Sequence, residues 1–510
     1  MTENKTYRIT LRPTHAELRA AAGTPLRDVL FEQGVEFPCG GQGRCRGCRV
    51  RVMEGTAGIN PAQRERLSSE EIEAGWRLAC QCTVESDLVI ELLQWDAAIL
   101  VDDTVFAFQP RSGLGVAVDL GTTTLVAQLL DLSTGRVLAV RTALNGQARF
   151  GADVMSRIQF GVADGGQRQL TEMIRRQIGG LIEQLLFAAS LTCAEIADIV
   201  LVGNTVMHHL FCGFDVAPLS HYPFESERTG LARLGARELG WKFAGDPPVR
   251  FLPCLGGFVG SDVLAGIMAT KLAESQNVQG LVDLGTNGEI VIGNRERMLC
   301  ASTAAGPAFE GARISMGMRA ATGAISEVTA EEGKLHCHVV GNAAPRGLCG
   351  SGLVDAVATG LELEVIQPSG RLAGGDAQWM LAPPVALTQS DVRELQLAKA
   401  AIAAGLRILL ERWGNPELHR LYLAGAFGNY INRASARRIG LIDFPSEKVE
   451  AAGNTALLGA KLALFSLDGE DGSFQEVRRR IEHVSLNEDA RFQDVFVEEL
   501  TFPQSVHARD

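Results

Sequence analysis

The sequence lacks the features that would place it in a membrane or on nucleic acid. No run of 18 apolar residues occurs among its 510 residues, so no membrane-spanning helix is predicted. There is no excess of basic residues either, because the net charge is −12, whereas nucleic-acid-binding proteins usually carry a basic surface. Aromatic residues are scarce at 6% and glycines number 56, which favours α/β domains with tight loops over a β-sandwich or a coiled coil.

The N-terminal stretch does not resemble a secretion signal, and the cysteines do not resemble a disulfide framework. The N-terminal stretch MTENKTYRITLRP starts polar and then alternates, unlike a signal peptide. The 11 cysteines are an odd number in a long chain, which favours metal-binding or catalytic cysteines in a reducing compartment. We therefore expect a cytoplasmic protein.

Three of the cysteines lie within ten residues, in the stretch CGGQGRCRGC at positions 39–48. Four thiolates are the usual ligands of a two-iron cluster, and the glycines between them let backbone N–H groups turn toward the sulfurs. The candidate ligands are Cys39, Cys45, Cys48 and one of Cys80 or Cys82. Zinc is an alternative, although zinc sites favour two closely spaced pairs and only one is present. Unliganded cysteines in a small core are a second alternative.

A small α+β domain is predicted around this loop. The stretch TYRITLRP alternates as a half-buried strand does, and AELRAAAG is a weaker second strand. A helix is expected to begin at Thr24 and Pro25 and to end at Gly34. The later strands are predicted at CRVRVMEG, RLACQCTV and DLVIELL. Residues 1–95 therefore form one predicted domain, and residues 96–113 are predicted as a linker.

The sequence Val-Asp-Leu-Gly-Thr occurs twice, at 118–122 and at 282–286. Each copy follows apolar residues and precedes a predicted β-hairpin, which indicates two similar halves. Such a loop can offer backbone N–H groups and hydroxyls to phosphate, and its carboxylate can hold Mg²⁺ directly or through water. Asp119 and Asp283 would then flank one metal ion on a polyphosphate. The candidate phosphate-binding residues are Gly121, Thr122, Thr123, Thr124, Gly285, Thr286 and Asn287.

A third glycine-rich element, LYLAGAFGNYIN at 421–432, has Gly425 and Gly428 where a flat ligand such as adenosine could approach. In this order the three elements resemble the acetate and sugar kinase, heat-shock chaperone and actin superfamily, in which they are two phosphate loops and an adenosine loop. The stretches GGFVGSDVLAGI and NTALLGAKLAL resemble its connecting helices. The resemblance implies ATP binding by an α/β actin-like ATPase domain over residues 114–510, with halves of about 114–270 and 271–510.

The cysteine spacing C-x5-C-x2-C, followed 31 residues later by RLACQ, resembles the two-iron ferredoxins of the adrenodoxin type. That resemblance implies a β-grasp fold for residues 1–95 and a 2Fe-2S cluster. It assigns the ligands to Cys39, Cys45, Cys48 and Cys80, and it leaves Cys82 unliganded. Four arginines surround the loop, either as solvated charges or as a surface that steers an acidic partner, and they are Arg44, Arg46, Arg49 and Arg51.

The combination of these two domains resembles the reductive activators of corrinoid proteins. Six stretches look like that family: NGQARFGADVMSRI, VGNTVMHH, GGFVGSDVLAG, STAAGPAFEGARI, LCGSGLVDA and QLAKAAI. The resemblance implies ATP-dependent transfer of a low-potential electron through the 2Fe-2S cluster, which reduces an inactive Co(II) corrinoid protein to Co(I) and restores a methyltransferase or O-demethylase system. The implied partners are a corrinoid protein and a donor such as reduced ferredoxin or flavodoxin. A homodimer is one state that the chain could adopt.

Two points stay open at the level of sequence. The base that activates water for ATP hydrolysis is expected to be Asp262 or Glu289, although helix caps and turns also use acidic residues. Three other functions are considered: an activator of a radical dehydratase, a small-molecule kinase fused to a ferredoxin, and a redox-sensing ATP-binding protein.

Overall fold

The structure is a computed structural model that describes most of the chain. The described residues are 5–12, 17–31, 48–92, 108–163, 165–191, 195–321, 323–375, 378–428, 431–466 and 472–504. Within these ranges, no helix is both long enough and apolar enough to cross a membrane.

The N-terminal domain is a mixed five-stranded sheet packed against short helices. Its elements are β1 Thr6–Arg12, β2 Glu17–Ala21, α1 Leu26–Phe31, β3 Arg49–Glu54, α2 Pro61–Arg66, α3 Ser69–Glu73, β4 Trp76–Leu78 and β5 Leu88–Leu92. The strand order is β2-β1-β5-β3-β4, and β1 runs parallel to β5. Ile9 and Leu11 point into a core shared with Leu26 and Ile90, as their alternation predicts. This is the predicted β-grasp fold.

One predicted strand of this domain is shorter than expected. The stretch RLACQCTV is extended only to Leu78, where β4 ends, and Ala79–Gln81 forms a 3-10 turn instead. The reason lies in the partner strand, because β4 pairs with β3 only from Arg49 onward. The cysteine at position 80 is therefore presented by a turn.

The next part of the chain builds a six-stranded sheet, called here the first sheet. Its elements and the helices around it are β6 Leu114–Leu120, β7 Thr124–Asp131, β8 Val137–Leu144, α4 Val154–Gly161, α5 Gly166–Ala188, β9 Ile196–Val202, α6 Thr205–Cys212, β10 Ala232–Gly235, β11 Pro248–Phe251 and α7 Ser261–Ala269. The strand order is β10-β11-β9-β6-β7-β8. Helices α4, α5 and α6 cover its apolar face.

The remaining residues build a second six-stranded sheet and its surroundings. The elements are β12 Gln279–Leu284, β13 Gly288–Gly293, β14 Met298–Thr303, β15 Ala324–Glu331, β16 Lys334–Val339, β17 Gly347–Leu348, α8 Gly350–Glu362, β18 Gln378–Ala382, β19 Val385–Thr388, α9 Gln389–Trp413, β20 Arg420–Ala424, α10 Gly425–Gly428, α11 Arg433–Arg438, β21 Val449–Gly453, α12 Thr455–Leu464, α13 Gly472–Arg479, β22 Ile481–His483 and α14 Phe492–Glu499. The order in the second sheet is β21-β20-β12-β13-β14-β22. Thr388 caps α9 through a capping box, and Gly414 ends it in the left-handed conformation.

The two sheets repeat the same topology. In the first, β6 pairs antiparallel with β7 and parallel with β9, and β9 runs parallel to β11. In the second, β12 pairs antiparallel with β13 and parallel with β20, and β20 runs parallel to β21. The two copies of Val-Asp-Leu-Gly-Thr occupy equivalent places, at the ends of β6 and β12. The structure thus confirms the two similar halves of an actin-like fold.

Two helices cross between the halves. A Cβ built on Gly266 of α7 would lie 3.1 Å from Leu281 of the second sheet. A Cβ built on Gly115 of the first sheet would lie 3.1 Å from Leu464 of α12. The helices also meet each other closely, because a Cβ on Gly459 would lie 2.4 Å from the Cβ of Ala265. Small residues therefore let α7 and α12 pack in direct contact at the junction of the two sheets.

The N-terminal domain touches both halves. The guanidinium of Arg149 donates to the carbonyl of Asp28 at 3.1 Å, and that of Arg49 donates to the carbonyl of Arg346 at 2.6 Å. The ring of Trp76 has the guanidiniums of Arg49 and Arg346 at 5.8 and 5.6 Å from its centroid. Arg49 is thus part of a contact between domains, where it also pairs with Glu71. From the sequence, the arginines could be solvated charges or a surface that steers an acidic partner. Arg49 is neither, because its side chain is mostly buried in this contact.

Candidate functional site

The two Asp-Leu-Gly-Thr loops meet at the junction of the halves. The first loop (residues 119–124) is closed by a hydrogen bond from the Gly121 N–H to the Thr124 carbonyl at 3.1 Å. The second loop (residues 283–288) has a turn one residue shorter, closed by a hydrogen bond from the Gly285 N–H to the Asn287 carbonyl at 3.1 Å. Across the junction, the hydroxyl oxygens of Thr123 and Thr286 lie 3.2 Å apart. The sequence repeat therefore produces two hairpin mouths that face each other.

Four acidic side chains converge on this junction, and they are the four predicted catalytic residues Asp119, Asp262, Asp283 and Glu289. Burial raises the pKa of Asp119 to about 6. Burial and the charge of Asp119 raise the pKa of Asp283 to about 7, and burial and the charge of Asp283 raise that of Asp262 to about 8. The pKa of Glu289 lies well above its usual range because of burial and the charges of Asp262 and Asp283. The four carboxyl groups thus form one electrostatic cluster.

The first loop is held by side chains from several elements. Arg157 of α4 is fully buried and donates to the Thr122 carbonyl, and it also donates to the Gly151 carbonyl at 2.9 Å. Burial lowers the pKa of Arg157 to about 9. The amide of Asn204 donates to the Thr122 hydroxyl at 2.8 Å, and that of Asn145 donates to the Gly121 carbonyl at 2.9 Å. These donors therefore support the backbone and the Thr122 hydroxyl of the first loop from within its own half.

The second loop is held mostly by close packing. The Thr286 hydroxyl donates to the carboxylate of Glu310 at 2.6 Å. Gly425 has a φ of +87°, and a Cβ there would lie 2.6 Å from Asp283 Oδ1 and 2.7 Å from the Leu284 carbonyl oxygen. Only glycine fits this position, because both the backbone conformation and the space exclude a side chain. The predicted adenosine loop is therefore in direct contact with the second loop.

The other predicted ligand-binding positions also lie in or beside these loops. Gly428 ends α10, and a Cβ there would lie 3.0 Å from the Leu423 carbonyl. Phe427 of the same turn stacks on Phe309 with ring centroids 4.9 Å apart. Within the described ranges, no three His, Cys, Asp or Glu side chains form a group that could hold a metal ion by themselves.

The described cysteines of the predicted cluster site lie side by side. The Ala79 N–H donates to the Cys48 carbonyl at 3.0 Å, which brings Cys48 next to the turn that carries Cys80. The Gln81 amide donates to Cys80 Sγ at 3.5 Å. Cys82 is buried against Gln63, and burial raises the pKa of its thiol to about 11. An inert, buried Cys82 beside a sulfur that accepts a hydrogen bond fits Cys80 as the ligand. Cys39 and Cys45 lie outside the described residues.

Several residues at the junction had no role assigned from sequence. Arg157, Asn204 and Glu310 lie in stretches that carry the family resemblance, but nothing in their spacing links them to the loops. Arg319 donates to the Thr124 hydroxyl at 3.1 Å from the other half. Asn454 donates to Asp119 Oδ2 at 2.8 Å across 335 residues of sequence. The fold alone creates these contacts, and no local pattern encodes them.

Comparison with protein families divides the chain into three parts. Residues 9–85 match the 2Fe-2S iron-sulfur cluster binding domain. Residues 114–275 match the RACo middle region, and residues 277–509 match the C-terminal domain of RACo, the ASKHA domain. The cluster domain and the ASKHA domain support a 2Fe-2S cluster and ATP as ligands.

Individual relatives match over much longer stretches. The corrinoid activation enzyme RamQ of Eubacterium limosum is 31% identical, over 96% of this chain and 96% of its own. A [Co(II) methylated amine-specific corrinoid protein] reductase of Methanosarcina barkeri is 25% identical, over 76% of this chain and 77% of its own. Among solved structures, a reductive activator for corrinoid, iron-sulfur protein superposes with a TM-score of 0.71 at 28% identity, covering 98% of both chains.

Proposed function

The chain belongs to the family of reductive activators of corrinoid proteins, and on that premise we propose that it uses ATP to reduce an inactive Co(II) corrinoid protein to Co(I). One electron passes from an external donor to the cobalt, and the methyltransferase or O-demethylase system that needs Co(I) is restored. The observation that carries the proposal is a single chain in which a β-grasp domain with Cys48 beside Cys80 is joined to twin loops that converge with four carboxyl groups.

The N-terminal domain is proposed to hold the redox centre. A two-iron cluster on Cys39, Cys45, Cys48 and Cys80 would supply a one-electron relay. The residues around Cys80 suit that role, because the Gln81 amide donates to its sulfur and the turn Ala79–Gln81 presents it beside Cys48. Hydrogen bonds of this kind help to set a reduction potential.

The twin loops are proposed to hold the triphosphate of ATP. Thr122, Thr123 and Thr124 with Gly121 would bind from the first half, and Gly285, Thr286 and Asn287 from the second. The turn that carries Gly425 and Gly428 would contact the adenosine. Asp119 and Asp283 are proposed to hold Mg²⁺, directly or through water, and the ion would neutralise charge on the phosphates. A divalent cation would also relieve the repulsion within the acidic cluster. Asp262 or Glu289 is proposed as the base for the attacking water.

ATP is proposed to act by changing how the two halves grip the partner. A coupling of about 1–3 kcal/mol between nucleotide and partner states corresponds to roughly 40–130 mV for one electron. That bias is large enough to favour a reduction that would otherwise be unfavourable. The proposed donor is a reduced ferredoxin or flavodoxin, and the proposed location is the cytoplasm. The domain boundaries at residues 95 and 113 and a homodimer stay predictions, which truncation and sedimentation can test.

The direct test is a reduction assay with a purified Co(II) corrinoid protein, a chemical reductant and ATP. The expected result is the Co(I) absorption spectrum with ATP and none with ADP. The variant Asp283→Asn should lose the ATP-dependent signal, whereas Asp443→Asn, whose side chain is 97% exposed, should keep it. Equal Co(I) formation with and without ATP would refute the proposal. ATP turnover that requires a sugar would favour the kinase, and ATP binding without turnover would favour the redox sensor.

A further inference from the structure

One segment of the second half, residues 310–319, contacts both Asp-Leu-Gly-Thr loops. At its start, the Glu310 carboxylate accepts a hydrogen bond from the Thr286 hydroxyl of the second loop at 2.6 Å. At its end, the guanidinium of Arg319 donates to the Thr124 hydroxyl of the first loop at 3.1 Å. A carboxylate and a guanidinium from the same segment therefore lie at the two loops that face each other.

The segment that carries Arg319 is anchored within the second half. The Ser315 N–H donates to the buried carboxylate of Asp391 in α9 at 2.6 Å. The Met318 N–H donates to the Leu348 carbonyl of β17 at 3.0 Å. The backbone that leads to Arg319 is therefore held by the second half, whereas the Arg319 side chain reaches across the junction to the first loop.

The guanidiniums of Arg157 and Arg319 both donate to the first loop, but to different kinds of partner. Arg157 donates to the carbonyls of Thr122 and Gly151, so it could turn to a ligand only by leaving both carbonyls without this donor. Arg319 is half-buried, and its partner in the first loop is a hydroxyl, which can both donate and accept. A phosphate bound at Thr124 can therefore take the Arg319 guanidinium without such a loss.

The predicted adenosine loop indicates which phosphate would lie at Arg319. The turn that carries Gly425 packs directly against Asp283 of the second loop. Adenosine at that turn would therefore place the terminal phosphate of ATP farthest from it, at the first loop. A guanidinium is well suited to this phosphate, because its planar fork of donors can bind two phosphate oxygens at once.

We propose that Arg319 is a catalytic residue for ATP hydrolysis, which binds the γ-phosphate from the second half while the first loop binds it from the other side. The inference rests on the proposed function, because it names a further residue of the same nucleotide site. In this step, a water oxygen bonds to the γ-phosphorus, and the bond between that phosphorus and the bridging oxygen breaks. The proton of the water passes to the proposed base, and ADP and inorganic phosphate leave. Arg319 stabilises the negative charge on the transferring phosphoryl group.

Four variants of the full chain test this role. Arg319→Ala removes the guanidinium, and Arg319→Lys keeps the charge but loses the planar fork of donors. Arg313→Ala is the matched control, because Arg313 lies on the same segment and is exposed. Thr124→Val removes the hydroxyl that Arg319 binds, and it tests whether that hydrogen bond serves only to link the two halves.

The first measurement is the rate of ATP hydrolysis. We expect Arg319→Ala to lower kcat by roughly 100- to 1000-fold and Arg313→Ala to leave it unchanged. Arg319→Lys should lower kcat by roughly tenfold, and Thr124→Val by about tenfold at most, because the guanidinium still reaches the phosphate. Guanidinium ion, added below the concentration that unfolds the protein, should restore part of the rate of Arg319→Ala. An equal loss in Arg319→Ala and Thr124→Val, or in Arg319→Ala and Arg313→Ala, would overturn the inference.

The second measurement is nucleotide affinity, which needs neither turnover nor a corrinoid protein. Calorimetry compares ADP alone with ADP and aluminium fluoride, which mimics the transferring phosphoryl group. Arg319→Ala should bind ADP as tightly as the wild type does, but should bind ADP with aluminium fluoride roughly 100-fold more weakly. Equal affinity of the two proteins for ADP with aluminium fluoride would overturn the inference. A parallel loss of affinity for ADP alone would also overturn it, since it would indicate a structural role.

The same variants separate this inference from the proposed function. If the wild type hydrolyses ATP with help from Arg319 but forms no ATP-dependent Co(I), the proposed function fails and the role of Arg319 stands. If the wild type and Arg319→Ala hydrolyse ATP and form Co(I) equally well, the proposed function stands and the role of Arg319 fails.

Discussion

The first and second loops share a sequence and end equivalent strands, but they are supported in different ways. Beneath the first loop lie buried donors, with Arg157 and Asn204 both bound to Thr122. The second loop has Glu310 as an acceptor for Thr286 and is otherwise packed against the backbone at Gly425. The two loops thus have equivalent places in their sheets, and the side chains that surround them differ.

This difference indicates that the two loops have different roles. The buried guanidinium of Arg157 supports the first loop and places a positive charge near the proposed phosphate position. The second loop abuts the predicted adenosine loop, so a nucleotide bound there would act on it through that contact, because a shift of Gly425 must displace Asp283. The first loop is thus suited to binding and the second to responding. The substitutions below test each side of this comparison, in order of decreasing expected effect.

Removing the support of the first loop should have the largest effect. In Arg157→Met, the buried carbonyls of Thr122 and Gly151 lose their donor, which should lower the free energy of unfolding by roughly 3 to 5 kcal/mol. Urea unfolding followed by fluorescence measures the change, and ATP affinity should fall as well. Arg168→Met is the control, because that side chain is 85% exposed. Equal urea midpoints for the two variants would show that Arg157 does not support the loop.

Filling the space beside the second loop should have the next largest effect. Gly425→Ala combines left-handed strain with a clash against Asp283 and Leu284, and should cost roughly 2 to 4 kcal/mol of stability as well as ATP affinity. Gly414→Ala is a matched control, because its φ is +106° but nothing lies within 4 Å of a built Cβ. It should cost only about 1 kcal/mol and leave ATP binding unchanged. If both variants bind ATP equally well, Gly425 does not contact the responding loop.

Much of this architecture can be predicted from the sequence. The different supports of the first and second loops show why the rest cannot. The twin hairpins, α9 and its cap at Thr388 follow from local patterns of apolar residues, turns and capping side chains. The four acidic residues were predicted because each lies in or beside a glycine-rich turn or a connecting helix. The residues that support the loops were not predicted, because Arg157 lies 35 residues from Thr122 in the sequence and Asn454 lies 335 residues from Asp119. Only the packing of the two halves brings such pairs together.

The acidic cluster, which spans both loops, predicts a pH dependence of stability. The pKa of Asp262 is raised to about 8, while an unfolded carboxyl ionises near 4, so the folded state binds more protons between these values. Stability of the protein without nucleotide or metal should therefore fall as the pH rises from about 4 to 8. Asp262→Asn cannot ionise and should be more stable than the wild type by roughly 1 to 3 kcal/mol at pH 8, with little difference at pH 5. Urea midpoints at both pH values test this, and an equal gain at pH 5 would contradict it.

The smallest effect concerns the hydrogen bond between Thr123 and Thr286, which joins the two loops. Because the Thr286 hydroxyl donates to Glu310, the proton between Thr123 and Thr286 must come from Thr123. Thr123→Val should therefore cost only about 0.5–1 kcal/mol without nucleotide, and Thr286→Val about 1–2 kcal/mol, since it loses both bonds. In the double variant the bond between the loops is already gone, so its cost should match that of Thr286→Val alone. Urea unfolding of all four proteins measures this cycle. Strictly additive costs would mean that the loops do not touch in solution, and the first and second loops would then have to be treated as independent sites.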